Sequence, residues 1–468
     1  MTKALDADID IVIGGLYLVA IVLFILGLRR LGSPATARSG NATASLGMLL
    51  AVVVTLFDRD IVDFEYIIVG IVVGAAIGAV MARTIKLTAM PQLVAIFNGF
   101  GGAASAVVAA SELNRLIEES ADIPLDVSIT IMLGTLIGTV TFSGSAIAFG
   151  KLQEVIYGHA LTFPLRKTLN VVLFAAIVAL VAYLSVEPGI VVFAVLVAVS
   201  LVFGILLVMA IGGADMPVVI SLLNSYSGVA ASMAGFVLGN PMLIVAGALV
   251  GAAGLILTQI MTRAMNRSLV NVMFGAFGAV QPKGPALTGD RTVREVTAQD
   301  AAIMLAYARN AVFVPGYGLA VAQAQHQLRE LGELLESRGV AVKYAIHPVA
   351  GRMPGHMNVL LAEAEVSYDK LYDLDQINDQ FPDTDVVVVV GANDVVNPAA
   401  RDDEGSPIYG MPILEVDKSR QVIVIKRSLS PGFAAIDNEL FYKENTAMFF
   451  SDAKAALAET VAQVKETA

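Results

Sequence analysis

The chain has 468 residues, of which 56% are apolar and 15% charged, and its mean hydropathy is +0.74. Soluble domains carry about 25% charged residues, so part of this chain is too apolar for a purely soluble fold. The formal net charge of −11 argues against nucleic acid as a partner. The absence of cysteine excludes disulfides, thiolate metal sites and a cysteine nucleophile, and the four histidines show no metal-ligand spacing.

Apolar runs of about 20 residues recur in the first half of the chain, and each can cross about 30 Å of hydrocarbon. We predict nine membrane-spanning helices, near residues 9–28, 43–57, 65–82, 88–111, 125–149, 168–185, 189–211, 216–237 and 241–262. Small residues spaced four apart predict close packing between some of these helices; they are Gly70, Gly74, Gly78, Gly134, Gly138, Gly247 and Gly251. The fold class expected for this half is a polytopic α-helical membrane domain.

Basic residues divide unevenly between the two sets of loops that join these spans. One set holds Arg29, Arg30, Arg38, Arg83, Lys86, Lys151, Arg166, Lys167, Arg263 and Arg267, whereas the opposite set holds only Lys3, Arg59 and Arg115. Because positive charge stays on the cytoplasmic side, the bias places the N-terminus outside and the C-terminal half in the cytosol. An odd number of spans is required for that orientation, which agrees with nine.

Polar residues inside the predicted spans need a buried partner or a path of water. Asn98 lies in the fourth span, Asp215 begins the eighth, and Asn224 lies roughly 13 Å deeper than Asp215 at the rise of an α-helix. Helix–helix hydrogen bonding and a polar pathway both explain these residues, and the sequence leaves the two open. The middle of the spans holds no Lys, Arg or Glu. This pattern does not favour an ion well of fixed charges and is compatible with a hydrated path for protons.

The character of the chain changes after residue 262. Residues 263–300 are rich in Gly, Pro and Thr, which predicts a linker or hinge that either only connects or also couples its neighbours. From residue 301 to 468, strands and helices alternate. We predict strands at 311–315, 342–346, 386–390 and 422–425, with helices at 319–337 and 356–364. This alternation predicts a cytosolic α/β domain, a Rossmann-like doubly wound sheet.

Two loops that follow predicted strands carry candidate nucleotide-binding residues. Gly316-Tyr317-Gly318-Leu319-Ala320-Val321 has the G-x-G spacing that lets a backbone approach a pyrophosphate, although Val replaces the usual third small residue. After the second strand, residues 347–355 lack the acid that holds the ribose of NAD in such folds, and Arg352 lies nearby. This loop therefore disfavours NAD and is compatible with a phosphorylated ribose or a pyrophosphate contact.

Two further loops follow the third and fourth predicted strands. Gly391-Ala392-Asn393-Asp394 places a carboxylate where ligands bind in open α/β sheets, or alternatively forms an Asx-type turn. Lys426-Arg427-Ser428 offers two cations and a hydroxyl. Those groups suit the 2′-phosphate that distinguishes NADP(H) from NAD(H), and an exposed basic turn is the alternative.

These loops, in this order and behind this membrane domain, resemble the β subunit of the proton-translocating NAD(P)+ transhydrogenase of the Re/Si-specific type. The resemblance covers nearly the whole chain, and the segments that carry it are residues 90–95, 214–219, 223–228, 314–318, 347–358, 391–394 and 426–429. It implies a proton-conducting membrane domain over 1–262 and an NADP(H)-binding domain over 301–468. Hydride would pass directly from NADH to NADP+, coupled to proton movement, with neither flavin nor metal.

The resemblance also implies partners and a location. NAD(H) would bind to a separate α subunit that adds further membrane helices, and two αβ units would form a dimer. The chain would be a multi-pass protein of the bacterial inner membrane, with the N-terminus periplasmic and the C-terminal domain cytoplasmic. The lipid bilayer would surround the membrane domain.

Site residues are carried over by matching position. Asp394 would couple nucleotide state to proton state, and Asn98, Asp215 and Asn224 would lie along the proton path. The residues expected to contact NADP(H) are Gly316, Tyr317, Gly318, Val349, Ala350, Gly351, Arg352, Met353, Pro354, Gly391, Ala392, Asn393, Asp394, Val395, Gly410, Met411, Lys426, Arg427, Ser428, Leu429, Ser430, Pro431, Gly432, Phe433, Asp452 and Ala453. Lys426, Arg427 and Ser428 would hold the 2′-phosphate.

Two positions depart from the family pattern. Many relatives carry His at the position of Asn98, and an amide cannot carry a proton near neutral pH. A proton relay here would need water or a titrating group from the partner subunit. Relatives often have Tyr in place of Phe433, so no polar role is expected of Phe433.

Two other functions fit parts of the pattern. The chain could be a membrane transporter whose cytosolic domain only senses a nucleotide, although no internal repeat supports that reading. It could also be a membrane-anchored NADP-dependent reductase without proton coupling. The number of spans and their polar residues argue against this last alternative, because anchoring needs one helix.

Overall fold

The computed structural model of the chain describes residues 2–57, 64–85, 89–119, 123–157, 160–161, 163–212, 215–266, 268–269, 272, 292–353, 355–406, 408–432, 434 and 436–467. The chain divides into two compact units. The first unit comprises Met1–Ile156, Phe163–Met209 and Ile220–Ile256, and the second comprises Tyr157–Thr162, Ala210–Val219 and Leu257–Ala468. Most of the predicted linker lies outside the described residues, and the domain boundaries at 262 and 300 stay predictions.

Within the described residues, nine helices are long and apolar enough to cross a membrane. They are α1 (Thr2–Leu31), α2 (Pro34–Leu56), α3 (Phe64–Thr84), α4 (Met90–Glu118), α5 (Leu125–Leu152), α6 (Arg166–Val186), α7 (Ile190–Met209), α8 (Met216–Leu238) and α9 (Pro241–Ala264). The predicted membrane fold class is confirmed. Each helix satisfies its own backbone hydrogen bonds, which a segment in hydrocarbon must do.

Helix α2 begins nine residues before its predicted span, at Pro34 instead of residue 43. The added residues are mostly small or polar, so hydropathy alone does not identify them. Close packing against α1 explains the added residues, because a Cβ on Gly40 would lie only 2.8 Å from the Gly27 carbonyl oxygen. A Cβ on Gly47 would lie 2.8 Å from the Ala20 carbonyl oxygen.

The predicted small-residue contacts form in two places and not in a third. A Cβ on Gly138 would lie 2.5 Å from the Gly102 carbonyl oxygen, so α4 and α5 pack backbone to backbone. Gly228 and Gly247 bring α8 and α9 together in the same way. In α3, by contrast, the positions beside Gly70, Gly74 and Gly78 are open, and α3 buries no residue within the described chain.

The α/β part of the second unit contains a six-stranded parallel sheet in the order β3-β2-β1-β4-β5-β6. The strands are β1 (Asn310–Pro315), β2 (Ala341–Ile346), β3 (Leu371–Asp373), β4 (Val386–Val390), β5 (Gln421–Lys426) and β6 (Thr446–Phe450). The helices are α10 (Ala298–Ala306), α11 (Tyr317–Ala322), α12 (Gln325–Ser337), α13 (His356–Glu363), α14 (Leu374–Ile377), α15 (Ala399–Asp402) and α16 (Ala453–Glu466). This strand order is that of a doubly wound dinucleotide-binding sheet, so the predicted α/β class is confirmed.

Hydrophobic residues from the centre of this sheet form its core. All five residues of β4 are buried, and Val387 and Val389 pack with Val312, Val314, Val422 and Val424 from the neighbouring strands. Continuous apolar strands are expected where both faces of a parallel sheet are covered. The strand order reverses between β1 and β4, which places the loops after these two strands at a crevice.

Two details differ from the predicted elements. The expected helix over 319–337 is two helices, because Gln323 adopts a left-handed conformation with φ 51° and ends α11. Strands β3 and β6 and helices α10, α14, α15 and α16 were not predicted. At the edge formed by β6, Val296 donates to the Met448 carbonyl at 3.0 Å, which fixes the segment entering α10 beside the sheet.

Candidate functional site

Glycines join the loops after β1 and β4 at the point where the strand order reverses. The Gly316 N–H donates to the Val390 carbonyl at 2.9 Å, and the Gly318 N–H donates to the Gly391 carbonyl at 2.9 Å. A side chain at Gly316 would overlap the Ala392 backbone, and Gly391 has φ +67°. The crevice therefore has a bare backbone floor, which is the surface that a dinucleotide pyrophosphate needs to approach closely.

The loop after β2 closes over one side of this crevice. It contains Val349, Ala350, Gly351, Arg352 and Met353, whereas Pro354 lies outside the described residues. The Arg352 guanidinium carbon lies 4.4 Å from the centroid of the Tyr317 ring. A cation over an aromatic face is attracted to it, so this contact joins the β2 loop to the β1 loop. The structure thus brings these two predicted segments together.

His347, at the start of the β2 loop, is a structural residue in this arrangement. Its Nε2 lies 2.8 Å from the Pro412 carbonyl oxygen, and its Nδ1 accepts a hydrogen bond from the Val349 N–H at 3.2 Å. Burial lowers the pKa of His347 to about 4, so the ring is neutral at physiological pH. With both nitrogens engaged, the ring connects the β2 loop to residue 412.

Asn393 and Asp394 follow β4 and bind the segment after β5. The Asp394 Oδ2 accepts a hydrogen bond from the Ala434 N–H at 3.0 Å. The Asn438 side chain donates to the Asn393 carbonyl oxygen at 3.0 Å and to its Oδ1 at 3.1 Å. The Asp394 carboxylate therefore binds the backbone at Ala434, and Asn393 binds Asn438, so both residues after β4 contact the chain that follows β5.

The loop after β5 carries the predicted basic residues. Lys426 donates to the Ser430 carbonyl oxygen, and its ammonium lies 4.9 Å from the Phe441 ring centroid. Burial lowers the pKa of Lys426, and the carboxylates of Asp394 and Asp437 partly offset that effect. Arg427 and Ser428 are exposed, and Arg427 makes no ion pair with any residue that the structure describes.

The rest of this loop and the remaining predicted contacts lie at the same edge of the sheet. Leu429, Ser430, Pro431 and Gly432 continue from Ser428, and Phe433 lies outside the described residues. Asp452 caps α16 by accepting from the Lys454 N–H at 3.0 Å, Ala453 is buried, and the Ser451 N–H donates to the Lys426 carbonyl at 3.2 Å. Gly410 donates to the Ala400 carbonyl at 2.7 Å, Val395 packs against the core, and Met411 packs beside Ala434.

These residues fit a phosphorylated dinucleotide. Bare glycine backbone lies at the crevice, and Arg352 and Arg427 offer guanidinium groups to phosphates on the loops around it. Among the described residues, no cluster of three or more His, Asp or Glu could hold a metal ion. This edge of the sheet is therefore suited to binding an anionic ligand.

In the first unit, three membrane helices meet at a buried polar cluster. The Asn98 Nδ2 of α4 donates to the Ser145 hydroxyl of α5 at 3.1 Å. The Ser227 hydroxyl of α8 lies 2.5 Å from the Asn98 Oδ1 and 2.9 Å from the Asn224 carbonyl oxygen. Asn98 is only 9% exposed. The predicted residue Asn98 thus belongs to a hydrogen-bonded group of side chains that joins three helices, whereas Asn224 contributes only its backbone carbonyl.

Asp215 lies in the second unit and is buried at 5% exposure, immediately before α8. Three residues further on, Val218 joins an apolar cluster with Met261 and Val272, and Val349 packs against that cluster. All of these residues are part of the second unit. The β2 loop therefore packs against the same apolar cluster to which the segment after Asp215 belongs.

Comparison with known proteins agrees with this architecture. The family model described as NAD(P) transhydrogenase beta subunit matches residues 14–463. The chain belongs to the NAD(P) transhydrogenase beta-subunit family. Two relatives named NAD(P) transhydrogenase subunit beta, from Rhodospirillum rubrum and from one strain of that species, are each 50% identical to it over 455 residues. The match covers 94% of this chain and 96% of each relative.

Membership of this family confirms the resemblance found in the sequence. The enzyme class is NAD(P) transhydrogenase, and membership implies NADP(H) as a cofactor and an alpha subunit as a partner. Together with the candidate membrane helices, it makes the chain a multi-pass membrane protein.

Two residues at the site were not identified from the sequence. Asn438 holds the Asn393 loop through its side-chain amide, and His356 lies beneath the β2 loop. A weak signal exists for each: Asn438 precedes a short helical turn that it caps, and His356 follows Gly355 directly. Neither signal identifies the contact, because both contacts depend on how loops fold back on the sheet.

Proposed function

We propose that this chain binds NADP(H) at the carboxyl edge of its parallel sheet and accepts hydride directly from NADH held by the alpha subunit. Proton movement through the membrane helices drives the reaction. The membrane domain over 1–262 conducts protons, 263–300 link it to the NADP(H)-binding domain over 301–468, and two αβ units form a dimer in the bacterial inner membrane. The basic loops support a periplasmic N-terminus and a cytoplasmic sheet.

The observation that carries the proposal is the exposed pair Arg427 and Ser428 beside a glycine-lined crevice at the β1/β4 reversal. A 2′-phosphate is the group that distinguishes the two dinucleotides, and a guanidinium binds phosphate through paired charge-assisted hydrogen bonds. Lys426 stabilises this loop by donating a hydrogen bond to the Ser430 carbonyl oxygen. Arg427 and Ser428, which are exposed, are therefore the residues that we expect to bind the 2′-phosphate.

When bound, the nicotinamide ring supplies the hydride chemistry. The residues of this chain have the task of orienting the dinucleotide and excluding competing reactions. The floor at Gly316, Gly318 and Gly391 would accept the pyrophosphate, with Arg352 above it. Asp394 holds the segment at Ala434, so its protonation would loosen the wall of the site and link nucleotide binding to proton state.

The polar cluster in the first unit supports a proton path. Its members Asn98, Ser145 and Ser227 bind one another across three helices. Hydroxyls and amides hold water but do not ionise near neutral pH. We propose that protons pass here along water, or by a titrating group that the alpha subunit provides, and that Asp215 lies at the cytoplasmic end of this path.

Arg427→Ala tests nucleotide recognition in the purified full chain. Loss of a charge-assisted phosphate contact costs about 1.5–3 kcal/mol, which weakens NADPH binding by about 10- to 150-fold. NADH affinity should not change. The matched control is Arg420→Ala at the other end of β5, where the guanidinium pairs with Asp385 at 2.9 Å. An equal loss for NADPH and NADH in Arg427→Ala, or near-equal affinities in the wild type, would contradict the proposal.

A further inference from the structure

His356 begins α13 and is 1% exposed. Its Nδ1 accepts a hydrogen bond from the Arg352 backbone N–H at 3.0 Å. Since Nδ1 is an acceptor, the proton of the neutral ring lies on Nε2. The Nε2 atom is buried and has no hydrogen-bond partner in the part of the chain that the structure describes. Within the described residues, the imidazole therefore makes its hydrogen bond through Nδ1.

The ring also fills the space beside Gly351. Gly351 has φ +107°, and a Cβ there would lie 2.6 Å from both the Cβ and the Nδ1 of His356. The backbone N–H of His356 donates to the Met353 carbonyl at 3.2 Å. Backbone and side chain of His356 thus bind the same turn at two points. The shape of residues 351–353 depends on this histidine as well as on the glycine.

The turn determines where the Arg352 side chain lies. His356 fixes the backbone of Arg352, and the Tyr317 ring, 4.4 Å away, holds the guanidinium. The rings of Tyr317 and His356 are themselves 6.2 Å apart, centroid to centroid. A guanidinium that is fixed at both ends loses little freedom when it binds a phosphate, and this lowers the entropic cost of binding.

We propose that His356 is a positioning residue for the nucleotide site, which acts through its Nδ1 to hold Arg352 over Tyr317 and present the guanidinium to the phosphates of a dinucleotide. This inference rests on the proposed function, since it assigns a further residue to the same site. Burial and the nearby charge of Arg352 lower the pKa of His356 to about 4. At neutral pH the Nδ1 lone pair therefore stays available to the Arg352 N–H.

Three variants of the full chain separate the two ring nitrogens. His356→Asn keeps an acceptor near the place of Nδ1, His356→Gln keeps a donor near the place of Nε2, and His356→Phe keeps only the ring. We expect NADPH affinity to stay within about threefold of wild type in His356→Asn and to fall by about tenfold in the other two. The ratio of NADPH to NADH affinity should stay unchanged in all three, because Arg427 and Ser428 determine it.

A double-mutant cycle with Arg352→Ala tests whether His356 acts through Arg352. In that background we expect His356→Gln to cause little further loss, since contacts that act as one unit are not additive. An equal loss with and without Arg352, a tolerated Gln with a damaging Asn, or wild-type affinity in all variants would overturn the inference. If His356→Phe fails to fold, the comparison of Asn with Gln still decides.

The same experiment distinguishes failure of this inference from failure of the proposed function. If Arg427→Ala weakens NADPH binding as expected but the His356 variants bind NADPH like the wild type, only the role of His356 is refuted. A wild-type chain with no preference for NADPH refutes the proposed function itself.

Discussion

The backbone N–H of Gly318 donates to the carbonyl oxygen of Gly391 across 2.9 Å and so joins the loops that follow β1 and β4. The approach is close because neither residue has a side chain. A Cβ on Gly318 would lie 2.7 Å from the Gly391 Cα. This contact fixes the width of the crevice in which we place the dinucleotide.

Gly318→Ala should therefore impair nucleotide binding. The added methyl can fit only if the two loops separate, and overpacking of this kind costs about 1–3 kcal/mol. We expect NADPH affinity of the full chain, measured by calorimetric titration, to fall by about tenfold or more. Gly405→Ala is the control, because Gly405 lies in an exposed loop. Wild-type affinity in Gly318→Ala would show that the glycine contact does not shape the site.

Asn98→Ala should separate proton coupling from nucleotide binding. The substitution removes the amide that links Ser145 to Ser227. Water molecules in the proposed path would then lose a hydrogen-bond partner. With the alpha subunit in sealed vesicles, we expect gradient-driven reduction of NADP+ to slow by about tenfold, a barrier increase of about 1.4 kcal/mol. NADPH affinity should not change, since Asn98 lies in the first unit.

Ser143→Ala is the matched control for Asn98→Ala. The Ser143 hydroxyl is buried in α5 but donates to the Thr139 carbonyl of its own helix at 3.2 Å. Its loss should leave the gradient-driven rate close to that of the wild type. Equal effects of the two substitutions would mean that the polar cluster has no special part in proton transfer.

The stability of the α/β sheet should depend on pH through His347 and His356. Burial lowers the folded-state pKa of each to about 4, compared with about 6.5 in the unfolded chain. Between these values the unfolded state binds protons that the folded state excludes. Above pH 6.5 the two histidines therefore do not reduce the free energy of unfolding. As the pH falls from about 6.5 towards 4, each histidine lowers the free energy of unfolding by about 1.4 kcal/mol per pH unit.

Calorimetric melting of the full chain at pH 7 and pH 5 measures this dependence. We expect the sheet to unfold at a clearly lower temperature at pH 5. The double variant His347→Gln, His356→Asn should lose most of the difference between the two pH values, since neither new side chain titrates. The same pH dependence in wild type and variant would assign the effect to other groups.

The sequence predicts the elements of this fold well where one signal dominates. Long apolar runs predict nine spans, because the transfer of a segment from water to hydrocarbon depends mainly on its composition. The five valines from Val386 to Val390 predict β4 with its observed bounds. Helix α2 is longer than predicted, since its first residues are held by contacts with α1 and not by hydropathy. The break at Gln323 and the three-residue strand β3 are likewise set by tertiary contacts.

The candidate site could be predicted in part for a topological reason. In a parallel sheet the loops after successive strands meet at one edge, so the segments at Gly316, Gly391 and Lys426 had to be neighbours. The contacts of His356 and Asn438 could not be predicted, because they depend on loop conformations that no periodicity encodes. The hydrogen bonds of Asn98 depend on how three helices rotate about their axes, and packing decides that rotation.

The most direct test of the central claim is the dependence of hydride transfer on a proton gradient. The chain would be reconstituted with its alpha subunit in sealed vesicles, and reduction of NADP+ by NADH followed with and without an inward proton gradient. We predict faster reduction with the gradient and loss of that acceleration when an uncoupler is added. Hydride transfer at the same rate in all three conditions would contradict the proposed coupling between the membrane helices and the nucleotide site.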